Sequence, residues 1–535
     1  MKRIMILGGG IMQVPSIKTA KKNGWQVIVA DGNPRAPGKE LADFFEHVDL
    51  RDREKMAETA LRYKKNLSLD GVFTAGTDFS TTVAWVAEKL GLPGIPYSVA
   101  LRATDKDQMR RCFAENQVPS PEYSVITSLA ECEALCRHAP FPLVVKPVDN
   151  MGARGIRKVE DPEELLRAAE NALTYSRAGR VIIEEYIEGP EYSLDAIVWE
   201  GTVTVCGIAD RHIFFPPYFV EMGHTMPAMT DEIKDIESVV RVFKQGIRAI
   251  GIDKGAAKGD IKLSSRGAKV GEIAARLSGG YMSGWTFPYH SGVDVTDAAL
   301  HIAVGIKPEN LAPRWSKVSA ERAFISIPGE IISINGREKA LEIPGVQDVF
   351  QAAEQGERID FPTNNVQKCG NIIAVSENRL QAAENAEKGC AAMIVELKPG
   401  DTATCNFLLK ETHQWAPSAY SLNSVRNRDA IEAMEIFSGN PGIPAVPFIA
   451  ELPEMDAETG EDWNHIPFSQ GLKRINLITG AEAAEIGDTD SFVLGKVFWK
   501  VFLRGGYQAG IWLIKTIEIF ESDRDAVTAF LKRWQ

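Results

Sequence analysis

The stretch from Gly259 to Arg276, GDIKLSSRGAKVGEIAAR, constrains the fold more tightly than any other part of the chain. Its two runs of alternating polarity predict a β-hairpin over 258–275. With the turn centred on Arg266, Asp260 and Glu272 become cross-strand neighbours. Alternation then places Asp260, Lys262, Glu272, Ala274 and Arg276 on one face, and Ile261, Leu263, Ile273 and Ala275 on the other. Two facing carboxylates repel unless a cation lies between them, and an oxygen-only site shared with phosphates suits Mg²⁺. Periodicity alone favours the plainer alternative, two solvent-facing acids beside Lys262 and Arg276.

The 535 residues suffice for three or four domains. A composition of 44% hydrophobic and 25% charged residues, with 10 Trp, is that of a globular chain. The net charge of −12 argues against a partner gripped through nucleic-acid phosphates, while leaving room for a local basic pocket. The seven cysteines (112, 132, 136, 206, 369, 390 and 405) are odd in number and show no structural-zinc spacing. With no leader ahead of Met1-Lys2-Arg3, reduced thiols in the cytoplasm are expected. Lys496, Lys500 and Lys515 interrupt the late apolar stretches, which fall short of the ~20 residues of a membrane span. The expected protein is soluble and cytoplasmic, without nucleic-acid or membrane partners.

The first residues read as strand, glycine turn, helix and strand. Arg3–Leu7, Gly8-Gly9-Gly10, a helix over 14–22 and a strand over 25–30 open a doubly wound α/β domain. A dinucleotide fingerprint needs Gly or Ala where Gln13 stands, so a tight turn is favoured over an NAD site with Asp31 on the ribose. Asp105 predicts the cap of a helix running to Asn116. Further helices are expected over 162–176 and 231–250, with strands at 193–198 and 203–210. Beyond 318 a smaller α/β-like stretch follows. Residues 451–490 carry ten Asp or Glu against Lys473 and Arg474, and read as a solvated face or loop. Apolar segments at 492–503 and 510–520 are expected to pack on the 320–400 region or across a homodimer interface.

The strand Phe141–Pro147 ends at Lys146, just before the glycine-bearing loop 149–155. A positive charge beside exposed loop amides can receive a polyphosphate. Glu184-Glu185-Tyr186-Ile187 offers backbone donors and acceptors plus a carboxylate to a base such as adenine. Taken singly, each of these elements is more often structural; in this order they converge.

That order resembles the ATP-grasp superfamily over residues 1 to about 400. The resemblance implies a multidomain α/β and α+β fold: a Rossmann-like pre-ATP-grasp domain (1–104), a small lobe (105–187), a large lobe with the catalytic site (188–318), a C-terminal α+β domain (319–404) and an extension (405–535). It implies ATP as the nucleotide, with Lys106 and Lys146 on the phosphates and Gly152, Ala153 and Gly155 in the phosphate loop. Glu184, Glu185, Tyr186 and Ile187 would form the adenine hinge, and Glu191 would hold the ribose. Asp260 and Glu272 would bind Mg²⁺, with Mn²⁺ as a substitute, and Arg276 would contact phosphate or the reacting centre. Ala274 departs from the pattern, since many members have Asn there. Asp210-Arg211 and the following FFPPYFVEMGHTMPA resemble the L-amino-acid ligase branch, implying a substrate pocket of Glu221, His224, Arg276 and Gly279. Glu221 and His224 are expected in a loop between lobes.

The implied activity is ATP-dependent ligation of a carboxylate to an amine through an acyl phosphate, releasing ADP and phosphate. Small-molecule carboxylate and amine substrates would be the partners, with a homodimer left open. Rival readings are a bicarbonate-activating carboxylase or carbamoyl-phosphate-synthase-like enzyme, a NAD-dependent oxidoreductase, and a degenerate nucleotide-binding interaction module.

Overall fold

The computed structural model describes residues 1–230, 232–409, 415–420, 428–439, 444, 446–452, 460–485, 491–520 and 523–534. It divides into two compact units, Met1–Glu321 with Val375–Ala383, and Arg322–Ala374 with Glu384–Gln535. The architecture is mixed α/β and α+β, as the sequence implies.

Unit one begins with a parallel sheet, β1 (Arg3–Leu7), β2 (Gln26–Asp31), β3 (Phe44–His47) and β4 (Gly71–Phe73), in the order β3-β2-β1-β4. Its central strands are buried on both faces, as a parallel sheet requires. In the glycine turn Asp31 accepts from the Gly9 amide at 2.6 Å, and the buried Gln13 donates to Ala75 O. The carboxylate that could have met a ribose is occupied in closing the turn.

A second, antiparallel sheet follows, comprising β5 (Tyr123–Ile126), β6 (Leu143–Pro147), β7 (Arg157–Val159) and β8 (Val181–Glu185), ordered β5-β8-β6-β7. The helix Pro162–Tyr175 covers it with Leu165, Ala168, Ala169 and Ala172. A larger sheet places β9 (Glu191–Trp199), β10 (Thr202–Phe214), β11 (Val220–Met226), β12 (Gly255–Ser264) and β13 (Gly267–Ala274) in the order β13-β12-β9-β10-β11. The helix Ile233–Ile250 packs Val239, Val242, Phe243 and Ile247 against it.

Unit two pairs Val346–Gln351 with Gly370–Ser376 and Gly329–Asn335 with Ile394–Leu397. Of the apolar segments expected at 492–503 and 510–520, Val493–Leu494 form a short strand and most of the rest belongs to one helical run, Lys496–Glu518, broken at Gly506 (φ 65°, ψ −157°). It packs on the 320–400 region, where Trp512 Nε1 donates to Lys398 O and the Val395 amide donates to the Tyr507 hydroxyl. The acidic run is not wholly solvated. Asp462 is buried and accepts from the Asn464 and Ile466 amides, and burial pushes its carboxyl up to about 7. Other acids of that run, at 454, 456, 458, 488 and 490, lie outside the described residues. Among the described residues all cysteines are free thiols, and no helix is long and apolar enough to cross a membrane.

Candidate active site

Asp105 caps the helix Lys106–Glu115 by accepting from the Gln108 amide at 3.1 Å, which fixes the direction of the first turn. That turn buries Lys106, whose Nζ donates to Asn150 O at 2.9 Å and lies 3.8 Å from Glu272. One turn on, Arg110 donates through Nε to Glu184 Oε1, and Lys146 on β6 donates to Glu184 Oε2, both at 2.7 Å. Burial would raise the Glu184 carboxyl, but the facing Arg110 and Lys146 outweigh it and hold it at about 2. The sequence reading offers a carboxylate of this segment to a base. The structure instead turns Glu184 onto Lys146 and Arg110, and Glu185 onto Lys269 and Arg266, because those cations surround β8. The Glu185 and Tyr186 amides donate to Glu122 O and Pro142 O. The Tyr186 ring has Lys158 Nζ at 4.3 Å and Lys262 Nζ at 5.6 Å, and Ile187 is buried beside it in sequence.

The loop 150–155 carries left-handed backbone at Gly152 (φ 68°), Ala153 (φ 60°) and Gly155 (φ 72°). A Cβ at Gly155 would meet the Tyr175 ring at 2.9 Å, so glycine is required there. Arg154 ties the loop to Asp78 at 2.9 Å.

The acids lie on the larger sheet, and two β-bulges decide which way they face. The hairpin turn is not centred on Arg266: Ser264 pairs with Gly267, which by itself would set Asp260 opposite Gly271. The ladder skips Gly271, and Asp260 comes to face Glu272. Before the bulge Ala268 and Val270 enter the core; after it Ile273 does, and Glu272 is freed for the other face. On β11 the ladder skips Met222, so Arg211 opposes His224 while Ile213 opposes Glu221. Glu221 and His224 are therefore strand residues, not loop residues. Three apart in a regular strand, they would point to opposite faces; the bulge puts His224 Nε2 3.4 Å from Glu221 Oε2.

Arg211 joins these acids. It reaches Glu221 at 2.6 Å and Asp260 at 3.0 Å, and also pairs with Glu191. Asp260 additionally accepts from Ser193 Oγ at 3.0 Å and pairs with Lys258. Burial works against its ionisation, but Arg211 and Lys258 hold its carboxyl below the usual range. Glu272 is held low in the same way, by Lys106 and Lys258. Arg276 donates to Leu277 O at 2.9 Å. Beyond it, Ser278 is fixed by buried Asp195, Gly279 packs on the Gly76 backbone, and a Cβ at Gly280 would stand 2.9 Å from Glu221.

The Asp260–Glu272 pair fits a hard divalent cation. Both are oxygen donors, they face each other in register, and each is neutralised by a lysine. Ala274, opposite Lys258, adds no oxygen. Among the described residues no group of three His, Cys, Asp or Glu assembles for a metal, so phosphate and water oxygens would complete a Mg²⁺ shell.

Sequence reasoning missed Arg110, Arg211, Lys258 and Glu321. Arg211 belongs to the segment that carries the resemblance but has no site role there; its partners lie 10, 20 and 49 positions away, and only the strand order brings them together.

An ATP-grasp domain model matches residues 139–284, and the model of L-amino acid ligase C-terminal domain 2 matches residues 323–398. An uncharacterized Sinorhizobium fredii protein is 28% identical over 341 residues, covering 63% of this chain and 70% of that protein. Human carnosine synthase 1 is 24% identical over 333 residues, covering 57% of this chain; the match spans only 40% of the synthase. The crystal structure of L-amino acid ligase from Bacillus licheniformis shares the fold, with a TM-score of 0.65 and 21% identity over 74% of this chain and 99% of that one. The ATP-grasp match takes in Lys146, the glycine loop and the facing carboxylates Asp260 and Glu272, and the chain is similar to the L-amino acid ligases in both matched regions.

Proposed function

We propose that this protein uses ATP to activate an amino-acid carboxylate as an acyl phosphate and joins it to an amine, releasing ADP and phosphate. The observation that carries the reading is Asp260 opposite Glu272, with Lys106 and Lys258 alongside and the basic Lys146–Arg110 cluster next to it. Cations on one side suit a polyphosphate, and acids on the other suit an ammonium group. The similarity to L-amino acid ligase and carnosine synthase supports amino-acid substrates.

In this reading Lys106 and Lys146 bind the phosphates, and the loop of Gly152, Ala153 and Gly155 closes over them and excludes water. The segment Glu184, Glu185, Tyr186 and Ile187 borders the base, and Glu191 borders the ribose. Asp260 and Glu272 hold Mg²⁺, which when bound neutralises charge on the phosphates. Arg276 stabilises the oxyanion that develops as the amine attacks. Glu221, His224 and Gly279 line the amino-acid pocket.

The test is Glu272→Ala, assayed by ADP release against a matrix of amino-acid pairs. ADP formation should vanish with the circular dichroism spectrum unchanged. Turnover near the parent level at saturating Mg²⁺ would overturn the metal role. ADP release that requires bicarbonate and no amine would redirect the reading to a carboxylase.

A further inference from the structure

His224 is fully buried and has an acid at each ring nitrogen. Nδ1 lies 3.0 Å from Glu321 Oε2 on the strand Val318–Phe324, and Nε2 lies 3.4 Å from Glu221 Oε2 on β11. Glu321 is itself 1% exposed. An ionised carboxylate only accepts hydrogen bonds, so Nδ1 carries the proton of its bond to Glu321, and a second acid at ion-pair distance from Nε2 favours a proton there as well. Gly280 closes the cradle, since a Cβ there would come within 3.2 Å of His224 Cε1.

We propose that Glu321 is a positioning residue which, opposite Glu221, clamps His224 as a fixed two-donor imidazolium at the wall of the amino-acid pocket. His224 then holds Glu221 in place at that wall as a permanent cation, and is not the base that takes the amine's proton. The inference rests on the reading of Glu221 and His224 as the amino-acid pocket.

The groups facing the ring agree. Glu221 (itself held by Arg211 from β10) and Glu321 supply negative charge, and Tyr281, whose hydroxyl burial keeps protonated, adds none. Burial alone would push the imidazole down, but Glu221 and Glu321 outweigh it and raise it to about 9.

The experiment follows the ¹⁵N shifts of His224 in the full-length, histidine-labelled protein between pH 6 and 9, assigned with His224→Gln. In the parent both nitrogens should be protonated at pH 7.5. Glu321→Gln should move the titration below pH 7 and raise the amino-acid KM about tenfold with the ATP Kd unchanged, the scale of one lost hydrogen bond to a charged group. Glu321→Asp should recover most of both. A neutral His224 in the parent at pH 7.5 overturns the clamp whatever the variants do. So does a Glu321→Gln protein with unaltered titration and KM. Absence of ADP release in the parent would instead count against the proposed ligase activity, because the nitrogen shifts decide the clamp without turnover.

Discussion

Around Glu184 one buried acid holds two bases, whereas around Arg211 one buried base holds three acids. Both clusters are largely buried, and they carry surpluses of opposite sign. The Glu184 cluster comes from straight elements: a capped helix delivers Lys106 and Arg110, and a regular strand delivers Lys146. The Arg211 cluster depends on two interrupted ladders, at Met222 and Gly271. The proposed phosphate site thus rests on local geometry, and the acid cluster rests on exceptions to it.

The comparison breaks most readily at Arg211. Arg211→Met leaves Glu191, Glu221 and Asp260 buried without their shared cation, and removing one partner of such a set costs about 3–5 kcal/mol. Urea unfolding should show that loss, and an effect below about 1 kcal/mol would mean the acids are compensated elsewhere.

Glu184→Gln should be milder, about 1.5–3 kcal/mol, because the amide keeps the shape and part of the hydrogen bonding. Lys146 is then no longer held, so the ATP Kd should rise while the amino-acid KM is little affected. The pH dependence sharpens this test. The Glu184 carboxyl is depressed to about 2, so its stabilisation is present above its ordinary value of 4.5 and is lost as pH falls toward 2. Acid titration of parent and variant should converge across that window; parallel curves would remove Glu184 as the anchor.

The smallest expected effect is Gly280→Ala. The left-handed backbone there (φ 59°) and the contact with Glu221 predict a cost of about 1 kcal/mol. It should raise the amino-acid KM and leave the ATP Kd alone. Weakened ATP binding in this variant would show that the two clusters are not separable.

Much of this site could be read along the chain. The Asp105 cap, the Lys146 strand end, the glycine loop and the 258–275 hairpin all depend on neighbours within a few residues, and local propensity decides them. The sequence reading even set Asp260 against Glu272, though for a turn centred on Arg266 that the chain does not make; the Gly271 bulge restored the pairing. An extra strand residue leaves no mark on a period of two, so neither bulge could be anticipated. The partners of the buried charges were equally hidden: Arg110 meets Glu184 across 74 residues, and His224 meets Glu321 across 97. A buried charge needs some partner, and the sequence by itself determined that requirement together with the residues able to meet it. Which partner satisfies it was decided only by the order of strands, because only the assembled sheets bring distant acids and bases within ion-pair reach.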